Sequence, residues 1–139
     1  MEKKRINYSS SLPWEPLRGY SRAVRVGDSL FISGTTAISP HGEIIGAGDP
    51  YEQTKYIIGR IRKILSVAEF QISDVVRTRL FVTNIGRWEE YARAHSECFD
   101  KIRPASSIVQ VSKLTDPRLM VEMEAEAILG CKMESAITI

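Results

Sequence analysis

Apolar and polar residues first follow a pattern that predicts a β-hairpin. Residues 23–26 and 29–33 are rich in β-branched and aromatic side chains, and Gly27-Asp28 between them can form the tight turn. A second turn over 39–42 precedes the short apolar run Ile44-Ile45. We therefore expect the regular structure to begin with two antiparallel strands.

The pattern then changes to that of an amphipathic helix. Asp49 can cap the helix, Pro50 fits its first position, and Glu52 can complete a capping box. The apolar residues at helical spacing on one face are Ile57, Ile61, Ile64, Leu65 and Ala68, and the opposite face carries Lys55, Arg60, Arg62 and Lys63. We expect the first face to lie against an apolar surface.

The rest of the chain alternates again between strand and helix patterns. We predict strands over 75–83, 107–114 and 119–128 and a helix over about 87–99. One face of the first strand should hold Val76, Thr78, Leu80 and Val82, and the stripe of the helix is Trp88, Tyr91, Ala92, His95 and Phe99. The resulting order is ββαβαββ, an α+β fold with one mixed sheet.

The last two predicted strands are apolar on both faces, although two helices can cover only one face of a sheet. In the first of them Val109 and Val111 point one way and Ile108 the other. In the final strand the two sets are Val121 with Met123, and Met120 with Ile128. We expect another subunit to cover the second face, so that the protein is an oligomer.

Length and composition fit one globular domain over residues 1–139. Hydrophobic residues make up 43% of the chain and the net charge is only +2, which argues against general disorder and against nucleic-acid binding through clustered cations. Neither a membrane-spanning stretch nor a secretory signal is expected. Cys98 and Cys131 lack metal-ligand spacing, so we expect a reduced, cytoplasmic protein without a metal site.

Several ordered motifs resemble those of the Rid family, the reactive intermediate deaminases that are also called the YjgF family. The similar segments, in chain order, are 19–23 (GYSRA), 30–34 (LFISG), 76–84 (VRTRLFVTN), 103–111 (RPASSIVQV) and 121–125 (VEMEA). Several motifs in order are more specific than any one of them. The resemblance spans roughly residues 14–130, and we expect residues 131–139 to be a flexible tail.

The resemblance implies a chorismate-mutase-like fold assembled as a homotrimer. The sheets would form a central barrel, and the clefts would lie between neighbouring subunits, where ligand sites are common. Active members of the family hydrolyse reactive imines and enamines, such as 2-aminoacrylate, to keto acids and ammonia without a metal or organic cofactor. A small-molecule substrate and self-association are therefore the implied partners, with no nucleic acid and no membrane.

Three residues match the family's cleft residues and a fourth does not. Tyr20, Ser33 and Glu122 stand at the positions of its tyrosine, serine and glutamate. Ser106 stands where the family has the arginine of its P-A-R-S motif, which is expected to clamp the substrate carboxylate. A hydroxyl offers one neutral hydrogen bond in place of two charge-assisted ones. The chain thus resembles an arginine-lacking branch of the family, and its substrate is expected to differ from a simple amino-acid-derived imine.

Glu122 is the candidate catalytic residue, because a carboxylate there can polarise a water for attack on an imine carbon. Glu124 and Glu126 alternate with it along the strand and are expected to line a solvated or pore-facing surface. His95 lies on an apolar stripe and is expected in the core or an interface. Ser106 has no neighbouring elbow motif, so a nucleophilic role is not expected.

Two arginines and a tryptophan are further candidates for substrate binding. Arg79 lies mid-strand among apolar neighbours, and either it or Arg103 could replace the missing clamp from another direction. Arg79 could equally pair with one of the strand glutamates, which is the interpretation we favour. Trp14 precedes the cleft tyrosine and either walls the pocket or anchors the N-terminal arm.

Three hypotheses of function follow. The first is a trimeric hydrolase of imines or enamines. The alternative is a small-molecule-binding or sensing trimer that keeps the cleft without catalysis; a cation near Ser106 would favour anion chemistry, and a dry pocket would favour binding. A third, an RNA-cleaving or translation-inhibiting protein, follows older naming of the family, and the near-neutral charge argues against it.

Overall fold

The alternating segments form one mixed sheet, and the two amphipathic segments form helices that pack on one of its faces. The computed structural model describes residues 2–139. The strands are β1 (Arg5–Tyr8), β2 (Ala23–Val26), β3 (Ser29–Thr36), β4 (Val75–Val82), β5 (Ala105–Gln110) and β6 (Val121–Ile128). The helices are α1 (Trp14–Arg18), α2 (Pro50–Val67) and α3 (Trp88–Phe99), with single 3-10 turns at Ile72–Asp74 and Ile85–Arg87. The strand order is β1-β2-β3-β6-β4-β5, and β4 runs parallel to β5.

This topology confirms the predicted α+β class and the ββαβαββ order from β2 to β6. The hairpin of β2 and β3 turns at Gly27-Asp28 as expected. Two N-terminal elements were not predicted, namely β1, which pairs with β2 at the edge of the sheet, and the five-residue α1. No residue of β1 is buried, so its sequence lacks the alternation that marks a strand.

The start of α2 follows the predicted capping pattern. Asp49 Oδ1 accepts a hydrogen bond of 3.0 Å from the Glu52 N–H, and Pro50 is the first helical residue. The apolar residues of the buried face are Ile57, Ile58, Ile61 and Leu65. Arg60 does not lie on the exposed face as predicted. It borders Ile61 at the edge of the buried face, and its Nη1 donates to the Thr36 carbonyl at 2.7 Å.

The stripe of α3 agrees only partly with the prediction. Tyr91 and Phe99 are buried, and so is Ala94, which was not assigned to the stripe. Trp88, which was assigned to it, is 52% exposed. Trp88 is the first residue of α3, so its side chain lies at the margin of the buried helix face and not within it.

A β-bulge corrects the predicted face of β4. The pairing of β4 with β6 shifts between Val75 and Arg77, which leaves one extra residue in β4. Val75 therefore faces the core in place of the predicted Val76, while Thr78, Leu80 and Val82 are buried as expected.

The two last strands also differ from their predicted bounds. β5 covers Ala105–Gln110 instead of 107–114, and the Val111 N–H makes a last bond of 2.8 Å to the Val82 carbonyl before the chain leaves the sheet. β6 begins at Val121 rather than 119, because residues 116–119 form a turn closed by a backbone bond of 3.0 Å.

The face of the sheet opposite the helices is open in the single chain. Phe31, Val109 and Ile128 are 49%, 47% and 46% exposed on it. The charged residues between them are Arg77, Arg79, Glu124 and Glu126. The helices thus cover one face of the sheet, as predicted.

The C-terminal residues 131–139 contain neither helix nor strand and are exposed. Where they begin, Asp74 Oδ1 accepts hydrogen bonds from the backbone N–H groups of Gly130 at 3.1 Å and Cys131 at 3.3 Å. Within the described residues, no helix combines the length and apolar character needed to cross a bilayer.

Candidate functional site

The chain between α1 and β2 brings Tyr20 into contact with two arginines. α1 ends at Gly19, whose φ of 72° turns the chain toward β2. The guanidinium carbon of Arg18 lies 4.5 Å from the centroid of the Tyr20 ring, and that of Arg22 lies 5.7 Å from it. Both contacts are in the range of cation–π interactions, so they hold the half-buried ring in place.

Arg22 is the buried member of this group, with an exposed fraction of 5%. Its Nη2 donates to the Gly34 carbonyl at 2.8 Å and to Thr35 Oγ1 at 3.4 Å. Its Nε is buried and has no hydrogen-bond partner among residues 2–139. Burial lowers the pKa of Arg22, while the nearby Tyr20, Glu15 and Glu122 oppose that shift.

Ser33 and Gly34 help to place the Glu122 carboxylate at the end of the sheet where Tyr20 and Arg22 lie. Ser33 Oγ donates to the Ser21 carbonyl at 2.6 Å. A bulge between Ile32 and Thr35 then interrupts the pairing of β3 with β6. A Cβ atom on Gly34 would lie 2.8 Å from Glu122 Cδ, so only glycine leaves room for the carboxylate in this position.

The surroundings of Glu122 favour its protonated form more than water does. Burial raises the pKa of Glu122 and Glu124 raises it further, whereas Arg18 and Arg22 lower it. A partly buried carboxyl group with a raised pKa is suited to taking up and returning a proton. Tyr20, Ser33 and Glu122, which were predicted as cleft residues, all lie near Arg22. The Arg22 carbonyl accepts a hydrogen bond of 2.9 Å from the Ser33 N–H, and its guanidinium lies over the Tyr20 ring and is acted on by the charge of Glu122.

Ser106 lies apart from this group, on the edge strand β5. Its pair on β4 is the buried Thr78, so it shares the helix-side face, whereas Glu122 lies on the open face two strands away. Thr78 Oγ1 is hydrogen-bonded to Ser106 Oγ and to His95 Nε2, both at 2.8 Å. Burial lowers the pKa of His95, which favours the neutral imidazole. Ser106 thus ends a neutral hydrogen-bonded chain.

Arg79 and Arg103 both have local carboxylate partners. Arg79 Nη1 lies 3.2 Å from Glu126 Oε1 and 3.7 Å from Glu124 Oε1, which is the cross-strand pairing that we favoured. Arg103, with a φ of 52°, is exposed in the loop after α3, and its Nη2 lies 3.4 Å from Asp100 Oδ1. A role of either arginine in holding substrate stays a prediction.

Trp14 is the first residue of α1, and its side chain is half-buried. Its role in walling the pocket or anchoring the arm stays a prediction as well. Within residues 2–139, no three side chains of histidine, cysteine, aspartate or glutamate come together in a group that could hold a metal ion.

Two residues of the site, Arg22 and Gly34, were not singled out from the sequence. Both lie inside the segments that carry the family resemblance. The available signal for Arg22 was the spacing of Arg18, Tyr20 and Arg22, in which a cation stands two residues to each side of an aromatic ring. The signal for Gly34 was a glycine inside a predicted strand motif, which often marks a bulge.

The chain is similar to known proteins both in sequence and in fold. A profile of the family described as endoribonuclease L-PSP matches residues 11–129. An uncharacterised protein of Streptomyces coelicolor is 38% identical over 87% of this chain and 90% of its own length. A RutC family protein of Pyrococcus abyssi is 34% identical over 89% of this chain and 96% of its own length.

Solved structures extend the similarity to the fold. A Mycobacterium tuberculosis member of the YjgF/UK114 family is 40% identical, with a TM-score of 0.82 over 91% of this chain and 100% of its own. A Yersinia pestis protein of the Rid family is 27% identical, with a TM-score of 0.79 over 91% and 100% of the two chains. A Pseudomonas aeruginosa protein described as of unknown function is also 27% identical, with a TM-score of 0.82 over 98% and 100%.

Proposed function

The chain belongs to the endoribonuclease L-PSP family, also known as the YjgF or Rid family, and from this membership we propose that it hydrolyses a small imine or enamine lacking a carboxylate. The products are a carbonyl compound and ammonia. The observation that carries the proposal is the position of Glu122. Its carboxyl group, with a raised pKa, fills the space left by Gly34 at the end of the sheet that Arg22 and Tyr20 occupy.

Glu122 acts as the general base toward water in the proposed reaction. It takes one proton while the water oxygen bonds to the imine carbon and the C=N electron pair moves to nitrogen, and it then returns that proton to the nitrogen. A second transfer, from the new hydroxyl to the amine, lets the C–N bond break as the carbonyl forms and ammonia leaves. A raised pKa suits a group that must alternate between both protonation states. An enamine enters the same sequence through its imine tautomer.

Tyr20 and Ser33 bound the proposed pocket. The ring of Tyr20 is fixed by its contacts with Arg18 and Arg22. The hydroxyl proton of Ser33 is committed to the Ser21 carbonyl, so the Ser33 oxygen faces other groups as an acceptor. An acceptor at this point suits the N–H of an imine or enamine.

The absence of a carboxylate from the proposed substrate rests on Ser106. Its hydroxyl is bonded to Thr78 and, through it, to His95, whose pKa burial lowers. The hydrogen bonds that link Ser106, Thr78 and His95 let the Ser106 hydroxyl exchange a hydrogen bond with a neutral ligand group. They do not provide the charge-assisted, bidentate contact that an arginine would make with a carboxylate.

We propose that the pocket is completed in a homotrimer. Ser106 and Glu122 lie on different faces of one sheet, so a ligand that contacts both needs Ser106 of the partner subunit. The exposed Phe31, Val109 and Ile128 on the open face support self-association. In this proposal residues 1–139 act as one domain, and the free thiols of Cys98 and Cys131 suit the reducing cytoplasm.

Ammonia release from a freshly generated neutral enamine, such as 2-aminoacrylamide, tests the proposal. We expect Glu122→Gln to lower kcat by about a hundredfold or more, since a general base contributes on the order of 10²–10⁴. Glu97→Gln is the matched control, because Glu97 lies on α3, away from the open face of the sheet, and its carboxylate accepts a hydrogen bond of 2.6 Å from the Tyr51 hydroxyl. It should retain most of the activity.

Full activity of the Glu122→Gln protein would contradict the proposed role. An unmodified protein that binds the enamine without releasing ammonia would instead identify a small-molecule-binding or sensing protein.

A further inference from the structure

A cavity lies on the helix side of the molecule, between residues 8–12 and α2. Its volume is about 760 Å³. Among the described residues, its walls include Arg22 but not Tyr20, Ser33 or Glu122. The cavity is therefore distinct from the proposed hydrolytic site and adjoins it only through Arg22.

Two guanidinium groups are held side by side where this cavity meets β3. Arg22 Nη2 donates to the Gly34 carbonyl at 2.8 Å, and Arg60 Nη1 donates to the Thr36 carbonyl at 2.7 Å. Both acceptors lie within three consecutive residues, so the two cations are close neighbours. Burial lowers the pKa of Arg60, and the charge of Arg22 lowers it further.

The charges around the cavity do not balance. Lys55 and Lys63 also line it, and Glu52 is the acidic lining residue. Glu15 offsets part of the charge of both arginines and Glu122 part of that of Arg22, but the four cations still outnumber these three carboxylates. Buried arginines are usually matched by carboxylates, and here a bound anion would supply the missing charge.

Apart from Ser9, Ser10 and Ser11, the rest of the wall is apolar. Tyr8, Tyr56, Ile45 and Ile64 supply its apolar surface. Gly59 lies in the middle of α2 on the same wall, and a Cβ atom there would meet no atom within 4 Å. Glycine is unfavourable inside a helix, and at this position it leaves the cavity deeper than any other residue would.

We propose that this cavity binds a small organic anion, with its carboxylate or phosphate at Arg22 and Arg60 and its apolar body against Tyr8 and Tyr56. Residues 8–10 precede the region that the family profile matches, so part of the wall is supplied from outside that region. The proposal is independent of the hydrolytic chemistry at Glu122.

Isothermal titration of the full chain with benzoate and with its neutral analogue benzamide tests this site. Benzoate should bind at least about tenfold more tightly, as expected for a charge-assisted contact. Gly59→Leu fills the cavity and should weaken benzoate binding by at least about tenfold, whereas Gly59→Ala should retain it. Arg60→Gln should weaken it similarly, and the control Arg62→Gln should not, because Arg62 bonds to Cys98 instead.

Equal affinity for benzoate and benzamide would overturn the proposal, and so would unchanged benzoate binding in both Gly59→Leu and Arg60→Gln. Glu122→Gln separates this site from the hydrolytic one, since benzoate binding should survive in that variant. Binding that is lost in Glu122→Gln and kept in Gly59→Leu would place the anion in the hydrolytic site and contradict a second one.

Discussion

Among the single residues of the site, Glu122 matters most to the proposed reaction, because its charge state decides whether it can act as a base. Burial and Glu124 raise the pKa of Glu122, while Arg18 and Arg22 lower it. A general base must be deprotonated to act, so the rate should rise with pH as Glu122 ionises. This rise is the acid limb of the pH profile. Because the pKa of Glu122 is raised in the folded protein, the midpoint of the limb should lie above pH 4.5, the ordinary pKa of the group.

Substitution of the neighbouring charges should move this limb in opposite directions. Glu124→Gln removes a negative charge that raises the pKa of Glu122, so the acid limb of kcat/KM should shift to lower pH. Arg18→Gln removes a positive charge that lowers it, so the limb should shift to higher pH. A pH profile of ammonia release by the three proteins measures both effects. Shifts in the same direction would contradict the assignment of Glu122 as the base.

The residues of the site differ in how far the sequence reveals them. Tyr20, Ser33 and Glu122 stand in motifs, and the pairing of Arg79 follows from strand alternation. Arg22 stands in a motif too, but its burial depends on contacts with Gly34 and Thr35, which come close only when β2 and β3 pair. Local sequence carries no direct record of such contacts.

Among the secondary-structure elements, the bulge in β3 has the most direct effect on the proposed reaction, because it determines the position of the Glu122 carboxylate. It frees Gly34 from regular pairing with β6 and leaves room for the Glu122 carboxylate. Gly34→Ala would put a Cβ atom 2.8 Å from Glu122 Cδ and displace the carboxyl group. We expect kcat to fall by about a hundredfold, as displacements near 1 Å can cause.

Thermal unfolding and ammonia release, measured together, check this prediction. Gly59→Ala is the control, because a Cβ atom there has open space. It should keep its activity and raise the Tm, since alanine favours a helix by about 1 kcal/mol over glycine. Full activity of Gly34→Ala would show that the position of the carboxylate matters less than we propose.

Elements with a strong hydrophobic period were predictable, and those defined by pairing were not. α2 has both a capping signal at Asp49 and a regular apolar face, so its start was found correctly. β1 is not buried on either face, and it is a strand only because β2 provides a partner. The bulge after Val75 likewise arises from pairing with β6 and shifted a face that alternation alone had assigned to Val76.

Self-association is the prediction that belongs to the whole molecule. The open face of the sheet exposes Phe31, Val109 and Ile128 around the paired charges of Arg79 and Glu126. Light scattering after gel filtration should give three times the chain mass of 15.7 kDa. Phe31→Asp should dissociate the assembly and abolish ammonia release while circular dichroism shows a folded chain.

Val67→Asp is the control for this experiment, since Val67 is 63% exposed on α2, on the other side of the sheet. It should leave the mass unchanged. A monomer with full activity would contradict a site shared between subunits.

The most direct test of the account compares ammonia release from 2-aminoacrylate and from its carboxamide, by the unmodified protein and by Ser106→Arg. We predict that the unmodified protein prefers the carboxamide. Ser106→Arg should shift the preference toward the carboxylate by roughly tenfold to a hundredfold, the value of one charge-assisted contact. If the unmodified protein hydrolyses 2-aminoacrylate as fast as the carboxamide and Ser106→Arg changes neither rate, another cation holds the carboxylate and the neutral-substrate account is wrong.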